Sequence, residues 1–292
     1  MRSRWIASLA GWYQARQENT KRQRFIQSGC IPWSEGYTAY KRRVLQDALG
    51  DAHLLARFAG QRDLPPNFGY RVDERIVEIP WVMARLREEA RVLLDAGASL
   101  NHDFLLELAA LRTRRVVICT VSREKRLGGD HVAYVCGDLR HAGFREASFD
   151  DIVCASTLEH VGMDNTRVYS RDIRFKQFRP DDYELAVREF QRLLKPGGRL
   201  FLTVPYGRYE NHGWLQQFDR ERLESILQMF GGTTRAVAFY KYFADSWQLV
   251  DADACAEGRY FDIQSRKDHE PDYVAAARAV ACMELVKEGH RT

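Results

Sequence analysis

Long apolar runs are missing from this 292-residue chain. A helix that crosses a bilayer needs about 20 consecutive apolar residues, and no segment approaches that length. The opening MRSRWIASLAGWYQ has an apolar core too short for a secretory signal, and Gln14 and Arg16 close it. Hydrophobic residues make up 45% and charged residues 29% of the sequence. We therefore expect a globular protein with a sizeable core.

Paired metal-ligand spacings are missing as well. The six cysteines show no such spacing, and the eight histidines form neither HxxxH nor HxH. We expect no structural zinc and no required metal. Cys119, Cys136 and Cys154 lie within or beside apolar runs and are interpreted as small buried hydrophobic residues. This usage favours a reducing, cytoplasmic location.

A strong charge of one sign is also absent. The net charge of +4 is too small to indicate a nucleic-acid partner, and none is expected. Residues 1–50 nevertheless hold nine Lys/Arg against three acids. This basic N-terminus favours either a solvated helix face or a peripheral contact with an anionic membrane surface or assembly proteins.

The chain divides into two parts by pattern. Residues 1–88 are mostly helical in pattern, broken at SGCIPWSEGY and RDLPPNFGY, and we expect a helical N-terminal extension or cap. Residues 89–292 alternate strands and helices, which predicts an α/β domain with a mainly parallel sheet and helices on both faces. Ligands bind such sheets at the carboxyl ends of the strands.

The alternating pattern also predicts the bounds of the individual strands and helices. The predicted strands are 91–96, 115–120, 131–136, 149–155 and 199–204, followed by 235–243 and a weaker run at 247–250. The predicted helices are 101–112, 181–194, 219–230 and a last one at 272–287.

The loop after the first strand, DAGASLN, has one glycine, whereas loops that bind nucleotide-type cofactors usually have several. Gly97 lets a ligand approach the backbone, and Ser99 or Asn101 can cap the following helix. The second strand lacks the acid that usually holds ribose hydroxyls, and Thr120 stands near its place. Both features argue against a nicotinamide cofactor.

The later segments carry more information. Asp138 follows a strand and a glycine, SFDDIVCAS leads into TLEH, and LLKPGGRLFLTVPYG gives a turn and a strand. With the first loop, these segments resemble the class I S-adenosylmethionine-dependent methyltransferases over residues 91–250. The segments IPWSEGY, RIVEIPWVMARL and STLEHVGMDN look like a bacterial subgroup associated with surface-polysaccharide and glycan synthesis.

The resemblance implies a Rossmann-like methyltransferase fold with a seven-stranded sheet, and S-adenosylmethionine as cofactor. It implies O-methylation of a sugar or glycan-linked acceptor, with Glu159 and His160 bordering the methyl group. His160 is our candidate base, because its ordinary pKa is near neutrality. The implied cofactor-binding residues are Asp95, Gly97, Ser99, Asn101, Thr120, Asp138 and Leu139.

Several assignments stay open. Asp164, Asn165, Tyr206 and His212 are candidates for acceptor contacts, or ordinary loop residues. The basic segment GMDNTRVYSRDIRFKQFRPDDY suits a lid that contacts substrate phosphate or carboxylate, or a solvated loop. Because Ser99 and Asn101 replace two family glycines, the alternatives are a working site and a catalytically inactive scaffold module for glycan assembly.

Overall fold

The computed structural model describes residues 16–89, 91–169, 171–266 and 268–289. Residues 1–15 of the basic N-terminus considered for membrane contact, which carry Arg2 and Arg4, lie outside the described residues, whereas its other seven Lys/Arg lie within them. Within the ranges above, every helix is too short or too polar to cross a bilayer.

Helices dominate the residues that precede the sheet, as the sequence predicts. They are α1 over 16–27, α2 Tyr37–Gly50, α3 Ala52–Ala59 and α4 Arg75–Met83. The Asp51 carboxylate accepts hydrogen bonds from the amides of His53 and Leu54, and so caps α3 at its first turn.

The main sheet has eight strands rather than seven. Its order is β3-β2-β1-β4-β5-β10-β8-β9, and a separate two-stranded ribbon is formed by β6 and β7. Pairings from β3 to β5 are parallel, whereas β10 is antiparallel to β5 and β8, and β9 is antiparallel to β8. The strands are β1 Val92–Ala96, β2 Arg115–Thr120, β3 Val132–Cys136, β4 Phe149–Ala155, β5 Leu194–Pro205, β6 Glu210–Asn211, β7 Gln216–Gln217, β8 Thr233–Phe243, β9 Ser246–Val250 and β10 Ala279–Val286.

Helices cover both faces of the sheet, as predicted. One face packs against α7 and α8, and the other against α2, α3, α4 and α5. The predicted helix at 101–112 is divided into two short helices. The bounds are α5 Asp103–Leu106, α6 Ala109–Arg112, α7 Tyr183–Leu193, α8 Arg220–Phe230 and α9 Ala252–Cys255.

The predicted last helix at 272–287 is wrong, because residues Ala279–Val286 form strand β10. Its alanines, Met283 and Leu285 have high helix propensity. Pairing on both edges and burial of seven of its eight residues outweigh that preference. A strand buried on both faces also shows no alternation of polar and apolar residues, so its pattern does not distinguish it from a buried helix.

The cysteines follow the prediction with one exception. All six are free thiols, and Cys119 and Cys154 are buried. Cys136 is exposed, because it ends β3, which is an edge strand of the sheet. The interpretation of Cys136 as a buried hydrophobic residue is therefore wrong.

Helix α4 packs directly on the sheet, although it lies before the predicted boundary at residue 88. Its residues Ile76, Val77, Trp81 and Val82 are completely buried, and the Trp81 ring lies 6.4 Å from that of Phe201 in β5. The helical extension thus contributes one layer of the same core. The division into two domains stays a prediction.

Replacing Trp81 with alanine tests whether α4 belongs to this core. We expect Trp81→Ala to lower the free energy of unfolding by about 3–5 kcal/mol, because a large buried ring leaves a cavity. Phe243→Ala, which removes a ring at the surface, is the control and should change it by about 0.5 kcal/mol or less. Urea unfolding followed by circular dichroism measures both. Equal effects of the two substitutions would show that α4 is not part of the core.

Candidate active site

A cavity of about 1040 Å³, its open mouth included, lies at the carboxyl ends of the parallel strands. Loops after β1, β2, β3 and β4 form its walls, together with Arg75 at the start of α4. Asn165, Tyr169, Phe175 and Gln177 also line it. Seven predicted site residues line it: Gly97, Ser99, Thr120, Asp138, Leu139, His160 and Asn165.

The loop after β1 is held by a buried carboxylate. Asp95 accepts hydrogen bonds from the Ser99 amide, the Ser99 hydroxyl and the Leu100 amide at 2.9–3.1 Å. Burial raises the pKa of Asp95 to about 7, although these hydrogen bonds lower it. Gly97 has a φ of +115°, and a Cβ there would lie 2.1 Å from Thr157 Oγ1. The chain therefore turns at Gly97 and leaves space for no side chain.

Asn101 holds a neighbouring loop rather than lining the cavity. Its amide nitrogen donates to the Lys125 carbonyl oxygen at 3.0 Å, and its amide oxygen accepts from the Tyr134 hydroxyl at 3.1 Å. These bonds fix residues 124–125 after β2, and Glu124 lines the cavity there. Glu124 thus brings a carboxylate to the cavity beyond the end of β2. It lies four residues beyond Thr120, outside the position where a ribose-binding acid is expected.

Asp138 is paired with an arginine at the cavity wall. Arg140 donates to its two carboxylate oxygens through Nε and a terminal nitrogen, at 2.5–3.1 Å. Burial alone would raise the pKa of Asp138, but the hydrogen bonds and charge of Arg140 hold it below its usual value. Arg140 also donates to Gln177 and Asp182, so it links the β3 loop to the residues before α7.

Two residues of α4 hold the end of β4. The completely buried Glu78 accepts hydrogen bonds from the hydroxyls of Ser156 and Thr203 at 2.5 and 2.7 Å. Arg75 donates to the carbonyl oxygens of residues 155 and 156, and pairs with Glu78 at 2.7 Å. Ser156 has a φ of +38°. These contacts stabilise a strained backbone at the cavity floor.

His160 follows in a short 3-10 turn formed by Leu158–His160. Its Nδ1 lies 2.9 Å from the Trp214 carbonyl oxygen, which can only accept, so Nδ1 carries the proton. The other nitrogen, Nε2, accepts from the Tyr169 hydroxyl at 3.2 Å. Burial lowers the pKa of His160 to about 4, with Arg75 adding to the effect. The imidazole is thus neutral at pH 7, with a lone pair on Nε2.

Glu159 lies beneath His160 rather than among the lining residues. Its Oε1 is 3.9 Å from His160 Nε2, and its Oε2 is buried without a hydrogen-bond partner. Burial raises the pKa of Glu159 well above its usual value, although Arg75 lowers it. This carboxyl group holds a proton more readily than an ordinary glutamate.

The remaining predicted acceptor residues occupy other positions. Asp164 caps the turn at Thr166, and Asn165, which lines the cavity, donates to the His160 carbonyl oxygen at 2.8 Å. His212 lies between Glu210 and Asp262, and the buried Tyr206 ring packs on Phe239. Sequence patterns did not assign several further lining residues to the site. These are Arg75, which precedes the sheet, and His102, Glu124, Ser156, Thr157, Tyr169 and Gln177, which lie in the segments after β1, β2 and β4.

Residues 94–202 match the family described as "Methyltransferase domain". The match supports an S-adenosylmethionine-dependent methyltransferase. It also confirms the predicted cofactor, S-adenosylmethionine. The matched residues include β2, β3, β4 and the last three residues of β1, whose loops surround the cavity, and both residues of the Glu159-His160 pair. No curated protein matches the chain by sequence.

Solved structures similar to this chain include three with different activities. 1,6-Didemethyltoxoflavin-N1-methyltransferase of Burkholderia thailandensis is 20% identical with a TM-score of 0.42, covering 68% of this chain and 72% of that one. The N-methyltransferase NodS of Bradyrhizobium japonicum is 13% identical with a TM-score of 0.43, covering 85% and 99%. The [4+2]-cyclase SpnF is 17% identical with a TM-score of 0.48, covering 86% and 95%. These similarities carry no argument about the acceptor.

The tight turn at Gly97 gives a test of the methyltransferase cavity. We expect Gly97→Ala to weaken S-adenosylmethionine binding at least about tenfold, because its Cβ would collide with Thr157 and strain the turn. Gly143→Ala is the matched control, since Gly143 has a φ of +73° and open space around its Cβ position. Isothermal titration calorimetry measures both affinities. Equal affinities would contradict the role assigned to the Gly97 turn.

The hydrogen bonds of His160 predict its tautomer and pKa. We expect ¹⁵N NMR to show the Nδ1–H form at pH 7 and protonation only near pH 4, because burial disfavours the imidazolium. His160→Gln identifies the resonance by removing it. Since the folded pKa is depressed, this group's contribution to stability is present above about pH 6.5 and is lost as the pH falls towards 4. Protonation above pH 6 would contradict this assignment.

Proposed function

We propose that the protein transfers a methyl group from S-adenosylmethionine to a hydroxyl group of a sugar or glycan-linked acceptor. The domain match supports the cofactor. The observation that carries the acceptor chemistry is the neutral His160 imidazole. Its Nε2 lone pair accepts a hydrogen bond from the Tyr169 hydroxyl, and both residues line the cavity.

The groups that the cavity presents fit S-adenosylmethionine. The carboxylates of Glu124 and Asp138 suit ribose hydroxyls and the adenine amino group, and the buried Leu139 suits the apolar faces of a base. Ser99 and Thr120 add short polar side chains, and the Gly97 turn leaves the backbone uncovered by a Cβ. When bound, the cofactor supplies a methyl group activated on a sulfonium.

The protein's own residues supply a proton acceptor. The Trp214 carbonyl fixes Nδ1 of His160 as the donor, so only Nε2 can accept a proton. An acceptor hydroxyl that replaces the Tyr169 hydroxyl at Nε2 would transfer its proton there. The Glu159 carboxyl group lies 3.9 Å from the same nitrogen. Burial favours its protonated form, so it balances an imidazolium only after it has lost that proton.

Aromatic rings around His160 support a sugar acceptor. Tyr169, whose ring lies 4.9 Å from that of His160, lines the cavity, and so does Phe175. Aromatic faces pack against the C–H faces of sugar rings, whereas the polar tips of Tyr and Trp hydrogen-bond hydroxyls. Hydroxyl acceptors also need the general base that His160 provides.

The alternative of a catalytically inactive scaffold module has less support. A scaffold needs neither a cavity open at the sheet edge nor an imidazole held in one tautomer. Both are present, and the polar side chains of Ser99, Thr120 and Asp138 line the same cavity. These features support an active enzyme.

Substitution of His160 tests the proposed chemistry. We expect His160→Gln to lower turnover about 10²–10⁴-fold, because a glutamine amide cannot accept the proton, while S-adenosylmethionine affinity stays within about twofold. The assay follows label from methyl-labelled S-adenosylmethionine into nucleotide sugars and oligosaccharides, with product linkages determined by mass spectrometry. His53→Gln, on the exposed face of α3, is the matched control.

Two outcomes would contradict the proposal. Full activity of His160→Gln would remove the imidazole as the base. Transfer of label only to amines, or only to carboxylates as esters, would exclude a hydroxyl acceptor. Cofactor binding measured on the same preparations separates a chemical defect from a folding defect.

A further inference from the structure

Exposed apolar side chains concentrate beside the cavity mouth. Among the described residues, eight large apolar side chains are strongly exposed, and five of these lie between residues 168 and 185. Ile173 is 72% exposed and Phe178 is 67% exposed. Single exposed apolar residues are common, but a group of them in one segment marks a contact surface. The five are Val168, Tyr169, Ile173, Phe178 and Leu185.

Four of these five residues, all but Leu185, lie in a cationic segment. We call residues 167–179 the rim segment; residue 170 lies outside its described part. The rim segment has five cationic side chains and one acid, Asp172, which pairs with Arg174 at 2.5 Å. All five cationic residues are exposed: Arg167, Arg171, Arg174, Lys176 and Arg179.

The rim segment borders the cavity on one side and a surface groove on the other. Phe175 and Gln177 line the cavity, whereas Arg174, Lys176 and Phe178 line the groove. The cavity and the groove share Asp138, Arg140 and Gln177 as lining residues. The exposed apolar and cationic side chains therefore surround the entrance to the proposed active site.

We propose that the rim segment docks on an anionic lipid surface. In the docked state Ile173 and Phe178 insert between the lipid headgroups, and the flanking cations contact the lipid phosphates. Basic residues interleaved with large apolar ones are typical of interfacial membrane contacts. The docking surface consists of rim-segment residues and includes none of the basic N-terminus at residues 1–50.

The charges of the rim segment argue against other occupants. A second copy of the chain on a two-fold axis would bring identical cationic side chains together. A nucleic acid would satisfy the cations, but its phosphate backbone offers no apolar phase for Ile173 and Phe178. An anionic bilayer satisfies both kinds of side chain.

Docking would turn the cavity mouth towards the bilayer. An acceptor anchored in the membrane would then reach His160 without leaving the lipid surface. This consequence for the acceptor depends on the proposed function. The docking itself does not, because lipid binding is measured without any methyl transfer.

Vesicle flotation of the full chain tests the docking. We expect binding to phosphatidylcholine vesicles that contain phosphatidylglycerol, and little binding to phosphatidylcholine alone. The double variant Ile173→Ser/Phe178→Ser should bind the anionic vesicles at least about tenfold less, because both inserted side chains are lost. Arg171→Gln/Lys176→Gln should also bind at least about tenfold less, and its residual binding should depend less on salt.

Matched controls remove equivalent side chains elsewhere. Ile26→Ser/Phe243→Ser removes two other exposed apolar groups, and Arg62→Gln/Arg112→Gln removes two other exposed cations. Both should bind vesicles like the unaltered protein. Calorimetry with S-adenosylmethionine should show unchanged affinity for every variant and so verify that each one folds.

Three results would overturn the docking proposal. The first is no binding of the unaltered protein to anionic vesicles, and the second is an equal loss of binding in the rim and control variants. The third is vesicle binding that a duplex oligonucleotide abolishes and that Ile173→Ser/Phe178→Ser does not reduce. Failure of methyl transfer to every hydroxyl acceptor, with rim-dependent vesicle binding intact, would remove the proposed function alone.

Discussion

The buried carboxylate of Glu78 is the interaction on which the site depends. A completely buried charge is stable only with close partners, and Glu78 has three: Arg75 in its own helix, Ser156 after β4, and Thr203 in β5. The Glu78 carboxylate therefore has all its hydrogen-bond partners only when α4, the end of β4 and β5 are packed together as in this fold. The strained backbone at Ser156 is held by the same contacts, so the cavity floor is built partly from a helix that precedes the sheet.

The acids near α4 also set the electrostatics of the cavity. Arg75 is surrounded by Glu74, Glu78 and Glu159, and burial together with neighbouring acids raises the pKa of Glu74 to about 8. Burial raises the pKa of Glu159 as well, and lowers that of His160. Poor solvation thus disfavours charge on both the acids and the base. The acids and His160 therefore remain mostly uncharged in the absence of a ligand. When a cationic ligand or a proton enters, the nearby carboxyl groups can ionise and balance the added positive charge.

The sequence predicted those parts of the site that follow parallel strands directly. Continuous apolar strands fix where each loop leaves the sheet, which is why Gly97, Thr120, Asp138 and His160 lie together at one cavity. It did not predict side chains delivered from elsewhere, such as Arg75, because no local period records a contact across about 80 residues. The error at β10 has a similar origin: tertiary burial decided its conformation, and local propensity favoured a helix.

The position of β10 has a consequence for biosynthesis. This strand follows every other strand in the described sequence, yet it lies between β5 and β8 near the middle of the sheet. During translation β8 and β9 emerge first and can pair with each other, but their link to β5 is made only through β10. Until then the edges of β5 and β8 lack their partner and can pair wrongly with other chains. Closure of the sheet is therefore a late event on the ribosome, and a nascent chain interrupted before residue 279 would expose two unpaired edges to chaperones.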